Sequence, residues 1–235
     1  NVGSVATNRS FSDLLVVRNA TSGQTLLSTP VLYNQNALAN GPIEAGGSRQ
    51  RQYSLRLPDG LVGVGELSFT VTLNAYGEIS ESSPAASNNT ASITQTSTLA
   101  PYPDLQVRNL RVQPATGLLS GSPLVILWDD ANTGNGATSG PWADRVTVKN
   151  LSTGEVLLST SVAHDPALAA NGPIAAGGTH SRQYTFTLPD GVRGVGDLEV
   201  TVLADGNGNL FELNPAGTGE ANNAAVVTTA STLAT

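Results

Sequence analysis

The strongest constraint on this chain is that it is written twice. Residues from Asn1 to Pro84 return at a constant offset of 131 as Asn132 to Pro215; NATSGQTLLST (19–29) matches NLSTGEVLLST (150–160), and RQYSLRLPDG (51–60) matches RQYTFTLPDG (182–191). The offset grows to 134 at Asn88/Asn222 because the second copy carries Gly217, Thr218 and Gly219 in a loop. A unit this long is a whole domain, unlike the roughly 20–50-residue units of solenoids. Two domains are therefore expected, 1–99 and 100–235. The second opens with Pro101–Ala131, for which the first has no counterpart, since Asn1 aligns with Asn132. Without those strands the first copy would present sheet edges and half a core. It reads either as a piece of a longer array or as an acceptor completed by a strand from a neighbouring repeat or an identical subunit.

Composition narrows the function classes. Charged residues make up 12% and aromatics 5% of the chain, so stability must come from Leu and β-branched positions on sheets. Cys and Met are both absent, which removes disulfides, thiolate metal sites and cysteine nucleophiles. A formal net charge of −7, with few and scattered basic residues, argues against nucleic acid. No stretch approaches the roughly 18 apolar residues of a membrane span.

The pattern along the chain is that of an all-β protein. Alternating or β-branched runs at 14–19, 25–33, 52–57, 66–73 and 90–99 read as strands, and the second copy adds 104–114 and 123–128. Pro58-Asp59-Gly60 and Pro189-Asp190-Gly191 write the same turn twice. Seven or so short strands over about 130 residues match an immunoglobulin-like antiparallel β-sandwich, so the expected fold is two such sandwiches in tandem. Pro101 and Pro103 stiffen the joint between them. Trp128 is expected in the core and Trp142, opposite Phe11, nearer the surface.

The order of several motifs in the second copy carries a resemblance. Pro103-Asp104-Leu105 opens it; Asn132-Thr133-Gly134 follows the second strand; then come Trp142 with Asp144-Arg145-Val146, the Leu188-Pro189-Asp190-Gly191 corner, and Asp205 through Glu212 to Glu220, Asn222 and Asn223. This resembles the CARDB family, the cell-adhesion-related domain found in bacteria. The resemblance spans all of the second copy and the first only from its Asn-x-Gly turn onward. It implies immunoglobulin-like modules, often in tandem, in large secreted or surface-anchored bacterial proteins, many of them adhesins. An extracellular location follows from the same resemblance.

The densest oxygen cluster is Asp205-Gly206-Asn207-Gly208-Asn209 with Glu212 and Glu220 behind it. Calcium takes about six to eight oxygens on a glycine-containing loop, so the candidate metal set is Asp205, Asn207, Asn209, Glu212 and Glu220, with calcium as the ion. The glycine and glutamate are misplaced for an EF-hand. The competing reading is an Asx-rich hairpin that bonds its own backbone. The first copy has Asn74 opposite Asp205, Tyr76 opposite Asn207 and Ala86 or Ser87 opposite Glu220, so a site is expected only in the second. Asp129-Asp130 with Asn132 is a weaker candidate, its paired carboxylates needing a cation or an arginine such as Arg145.

Catalytic readings find little. His164 and His180 have no histidine counterparts in the first copy and are expected on the surface. Gly63-x-Gly65 and Gly194-x-Gly196 lack the third glycine of a nucleotide-binding turn. Asn8-Arg-Ser, Asn19-Ala-Thr, Asn88-Asn-Thr and Asn150-Leu-Ser match the glycan acceptor pattern at a frequency that Asn, Ser and Thr abundance explains. The expectation is a non-enzymatic structural module, a spacer or filament-forming unit of an adhesin stalk or surface fibre. The alternatives are a glycan- or protein-binding module using loops 34–48 and 165–179, or an accessory module of a secreted protein.

Overall fold

The computed structural model describes residues 1–81, 85–168 and 171–234, so positions 169 and 170 of the proposed 165–179 binding loop lie outside the described residues. The chain divides into two compact units, Asn1–Leu99 and Ala100–Thr235. Among the described residues the regular structure is strand with three short 3-10 turns and no α-helix.

Unit 1 is one four-stranded antiparallel sheet. Its strands are β1 (Phe11–Asn19), β2 (Thr25–Tyr33), β3 (Gly65–Thr72) and β4 (Thr90–Ser97), in the order β2-β1-β3-β4. Along β1 every second residue (Phe11, Asp13, Leu15, Val17, Asn19) is buried, the period of a strand with one covered face.

Unit 2 repeats that sheet and adds a second. Its strands are β5 (Leu105–Gln113), β6 (Leu118–Leu119), β7 (Pro123–Asn132), β8 (Trp142–Asn150), β9 (Val156–His164), β10 (Thr179–Thr187), β11 (Gly196–Leu203) and β12 (Ala224–Thr232). One sheet runs β6-β12-β11-β8-β9 and the other β10-β7-β5. The pairs are antiparallel except for the short β6–β12 contact. Leu124, Ile126 and Trp128 of β7 meet Val146 and Val148 of β8 and Leu198, Val200 and Val202 of β11 in one buried core. This is the all-β, immunoglobulin-like sandwich that the alternation predicts.

The strand expected at 52–57 does not form: residues 47–58 adopt no strand in unit 1. Its twin β10 is a nine-residue strand because β7 pairs with it along its whole length. Alternation makes a segment able to join a ladder, but the ladder needs a partner, and β7 has no counterpart in unit 1.

The buried corner of each sheet is pinned by one asparagine. Asn150 is fully buried; its Nδ2 donates to the Val195 and Arg193 carbonyls at 2.9 and 3.4 Å, and its Oδ1 accepts the Ser152 and Thr153 N–H groups at 3.0 and 3.3 Å. Asn19 does the same in unit 1 with Val64, Val62, Thr21 and Ser22. Beside Asn150, Gly196, at φ 130°, has no room for a side chain: a Cβ would fall 2.6 Å from Ser152 Oγ.

Candidate functional site

The polar groups of unit 2 gather in two places, one around the loop after β11 and one inside the sandwich. The first begins at Asp205, which sits in the left-handed region at φ 44°. Its carboxylate accepts the N–H groups of Asn209 and Leu210 at 3.0 and 2.8 Å, closing an Asx-type turn. Asn74 occupies the same place in unit 1 at φ 47°, with its Oδ1 accepting the N–H of Ile79, the twin of Leu210, at 3.0 Å. A neutral amide thus performs the turn-forming task of Asp205, which requires an acceptor and no charge. Burial raises the Asp205 carboxyl above its ordinary range, with the two backbone donors opposing the shift.

Glu212 is buried, and its oxygens are also committed. Oε2 accepts the Leu105 N–H at 2.6 Å and Oε1 accepts Asn223 Nδ2 at 3.1 Å, which ties the start of β5 to the segment before β12. Glu220 Oε1 accepts the Glu212 N–H at 2.9 Å. Asn207 and Asn209 are exposed. Among the described residues no group of three or more His, Cys, Asp and Glu side chains is placed to hold a metal ion. Of the five residues chosen from sequence, Asp205, Glu212 and Glu220 are engaged with backbone N–H groups and Asn207 and Asn209 lie exposed, where oxygen density alone suggested a cation.

Asp104 completes this end of the unit. Oδ1 accepts Asn222 Nδ2 and Asn214 Nδ2 at 3.0 and 3.2 Å, while Oδ2 accepts Thr133 Oγ1 and Gln106 Nε2 at 2.5 and 3.3 Å. Thr133 and the 214–222 loop, both distant in sequence, meet on one carboxylate. Its position at the end of an extended Pro-Asp-Leu opening was the only sequence signal for it.

Burial pushes the Glu212 carboxyl up to about 8, opposed by the Leu105 N–H and reinforced by Glu220. An acid whose folded pKa is raised binds more protons when folded, so it favours folding most at low pH and loses that contribution as pH climbs from about 4.5 to about 8. Burial thus favours the neutral acid at Glu212, and a half-turn of the Asn223 amide would set its otherwise unpartnered Oδ1 against the acid proton. Glu212→Gln will therefore be close to neutral for unit 2 stability at pH 6 and stabilising at pH 9. Urea unfolding followed by tryptophan fluorescence at the two pH values checks this; equal effects at both would refute the protonated form.

The second gathering is inside the sandwich. Arg182 on β10 lies 3.4 Å from Asp130 of β7 and 3.5 Å from Asp144 of β8, and all three are almost wholly enclosed. Trp128 Nε1 donates to both carboxyls, at 3.0 and 3.1 Å. One guanidinium facing two buried carboxyls leaves one negative charge too many. Desolvation, then repulsion from Asp144, raises Asp130 to about 8; desolvation also raises Asp144, with Arg182 opposing. Burial and mutual repulsion therefore favour a proton held between the pair. The compensating arginine is thus Arg182, not Arg145, which reaches the Gly206 carbonyl instead. Unit 1 keeps a reduced version, Arg51 paired with Asp13 alone.

Both histidines and Trp142 differ from expectation. Trp142 is 3% exposed and His164 is fully buried, their rings stacked with centroids 3.8 Å apart. His180 is half-buried, edge-on to His164 at 5.0 Å. The β8–β9 register sets Trp142 directly opposite His164. His164 Nε2–H donates to the Gly172 carbonyl at 3.0 Å, the bond that the Tyr33 hydroxyl makes to Gly41 in unit 1 at 2.9 Å. Burial holds His164 below the usual histidine range.

No family model and no curated protein matches the chain. Among solved structures it is similar to a CARDB domain from Pyrococcus furiosus described as in complex with di-metal ions, at 17% identity over 58% of this chain and 100% of that one, with a TM-score of 0.40. The solution NMR structure of the same domain gives 15% identity, 56% and 97% coverage, and 0.37. Red sea bream transglutaminase is similar over 99% of this chain but 28% of its own, at 12% identity and 0.34. The assignment of unit 2 as a two-sheet all-β sandwich rests on its strand order and core.

Proposed function

We propose that the chain is a pair of structural modules in series, of the CARDB-like kind, from the stalk or fibre of a bacterial extracellular surface protein. Each module spaces or joins; its partners are neighbouring repeats or identical subunits, and neither module is an enzyme. What supports the reading is which features the two units share. The corner asparagines Asn19 and Asn150, the Asx turns at Asn74 and Asp205, the arginine–aspartate pairs, and the Tyr33 and His164 bonds all recur at the same offset. Every one of them is a frame interaction that fixes a strand or closes a turn. A chain selected to present the same scaffold repeatedly keeps that set.

In this reading the Asp205 loop is a turn and not a calcium site. The test uses the whole protein. Its thermal unfolding, followed by tryptophan fluorescence, will be the same in millimolar calcium and in chelator; a rise above about 5 °C with calcium would restore the cation reading. Electron microscopy of the same samples is expected to show end-to-end strings or uniform particles indifferent to chelator. Saturable binding on glycan or protein arrays with a Kd below about 10 µM would replace the spacer with a ligand-binding module.

A further inference from the structure

The two histidines of unit 2 stand on different sheets. His164 ends β9, the edge strand of the five-stranded sheet, and His180 is the second residue of β10, the edge strand of the three-stranded one. Their rings meet edge-on with centroids 5.0 Å apart, and Trp142 of β8 stacks on the His164 ring. The contact crosses the seam between the two sheets, where β9 and β10 share no backbone ladder.

The nitrogens of these rings are unequal. A carbonyl can only accept, so the 3.0 Å bond to Gly172 places the His164 proton on Nε2 and leaves Nδ1 as a bare lone pair. His164 is fully buried, and that Nδ1 meets no hydrogen-bond partner among the described residues. The Nδ1 of His180 is likewise enclosed and unpartnered, although the residue as a whole is only half-buried and stays partly open to solvent. An imidazole held at one nitrogen by a backbone carbonyl and bare at the other is the state in which histidine ligates a metal. The surrounding charge suits a cation. Asp130 stands opposite His180 in the β7–β10 register, and with Asp144 it outnumbers the single guanidinium of Arg182.

We propose that His164 and His180 form a two-histidine seat for a divalent transition-metal ion of the zinc class, bound through the two Nδ1 atoms with solvent completing its coordination. Imidazole nitrogen suits zinc, copper and nickel, whereas calcium and magnesium prefer oxygen. One ion on these nitrogens fastens β9 to β10 and so ties the edges of the two sheets together. The seat belongs to unit 2 alone. Its twins in unit 1 are Tyr33, whose hydroxyl makes the Gly41 bond, and Arg49, whose guanidinium reaches the Asn40 and Ser48 carbonyls. Both positions therefore accept a residue that binds no metal without loss of the local frame.

The test uses the full chain, stripped with chelator and dialysed free of it, with zinc sulfate as the probe. Titration calorimetry will find one zinc per chain with a Kd below about 10 µM, weakened by about tenfold or more in both His164→Tyr and His180→Arg, which install the residues of unit 1. Long-range proton–nitrogen NMR spectra of the wild-type chain will show both Nδ1 signals shifted by zinc while His164 Nε2 keeps its proton. These spectra need no variant, so they decide the matter even if one fails to fold. In about 0.1 mM zinc the melting temperature of unit 2 will rise by about 3 °C or more. Absence of binding at that concentration would overturn the proposal and leave an internal water as the partner of these nitrogens. Binding that survives either variant, or coordination through Nε2, would overturn it too. A melting response to calcium would belong to the Asp205 loop and leave both Nδ1 signals unmoved.

Discussion

Arg182→Ala will destabilise unit 2 by roughly 3–5 kcal/mol, the cost of removing one partner from a buried ionic cluster. The loss will be larger at pH 8 than at pH 4.5. Without the guanidinium both Asp130 and Asp144 must be protonated to stay buried, so the variant folds at the expense of two proton uptakes at high pH. At pH 4.5 protons are more available, so the extra uptake costs the variant less. Both tryptophans of the chain, Trp128 and Trp142, lie in unit 2, so urea unfolding followed by their fluorescence isolates this unit. A cost under about 1 kcal/mol, or one independent of pH, would mean that water reaches the cluster. The same change at Arg51 will cost less, since that side chain is 24% exposed against 6% for Arg182.

Asn150→Ala is the second large effect, about 3 kcal/mol. Alanine leaves two buried carbonyls and two N–H groups of the corner without their partner, and each unsatisfied group costs about 1–3 kcal/mol before relaxation. Asn150→Asp separates the two halves of the role: its carboxylate still accepts from Ser152 and Thr153 but cannot donate to Val195. Destabilisation by Asp nearly as large as by Ala assigns the greater part to the donated bonds; a wild-type Asp variant would show that the acceptor alone suffices. Chemical denaturation of the three proteins decides.

The strands were legible because a sandwich core demands alternation, and β1, β7 and β8 display it plainly. The failure at 52–57 has a physical cause: the same alternation exists there and in β10, but only β10 has a strand beside it. Sequence records a segment's capacity to pair, and pairing also depends on what else is present. The candidate cation residues were legible only as a density of oxygens. Counting oxygens cannot separate carboxylates that face an ion from those that face backbone N–H groups. The useful signal was present in Asn74, since a turn that works with an amide does not need the charge of Asp205. His164 and Trp142 were misplaced because burial depends on strand register, which puts the two rings opposite each other across β8 and β9.

The corner asparagines also bear on how the protein can be made. Asn19-Ala-Thr21 and Asn150-Leu-Ser152 have the form of glycan acceptors, yet Asn19 is 1% exposed and Asn150 fully buried, with the amide nitrogen of each donating to two carbonyls. A sugar on that nitrogen would both remove donors and force a bulky hydrophilic group into the sheet corner. Oligosaccharide transfer to the emerging chain precedes folding, so a host that performs it would set modification and folding against each other at the same two atoms. The sequence is therefore suited to production in cells that leave these tripeptides bare.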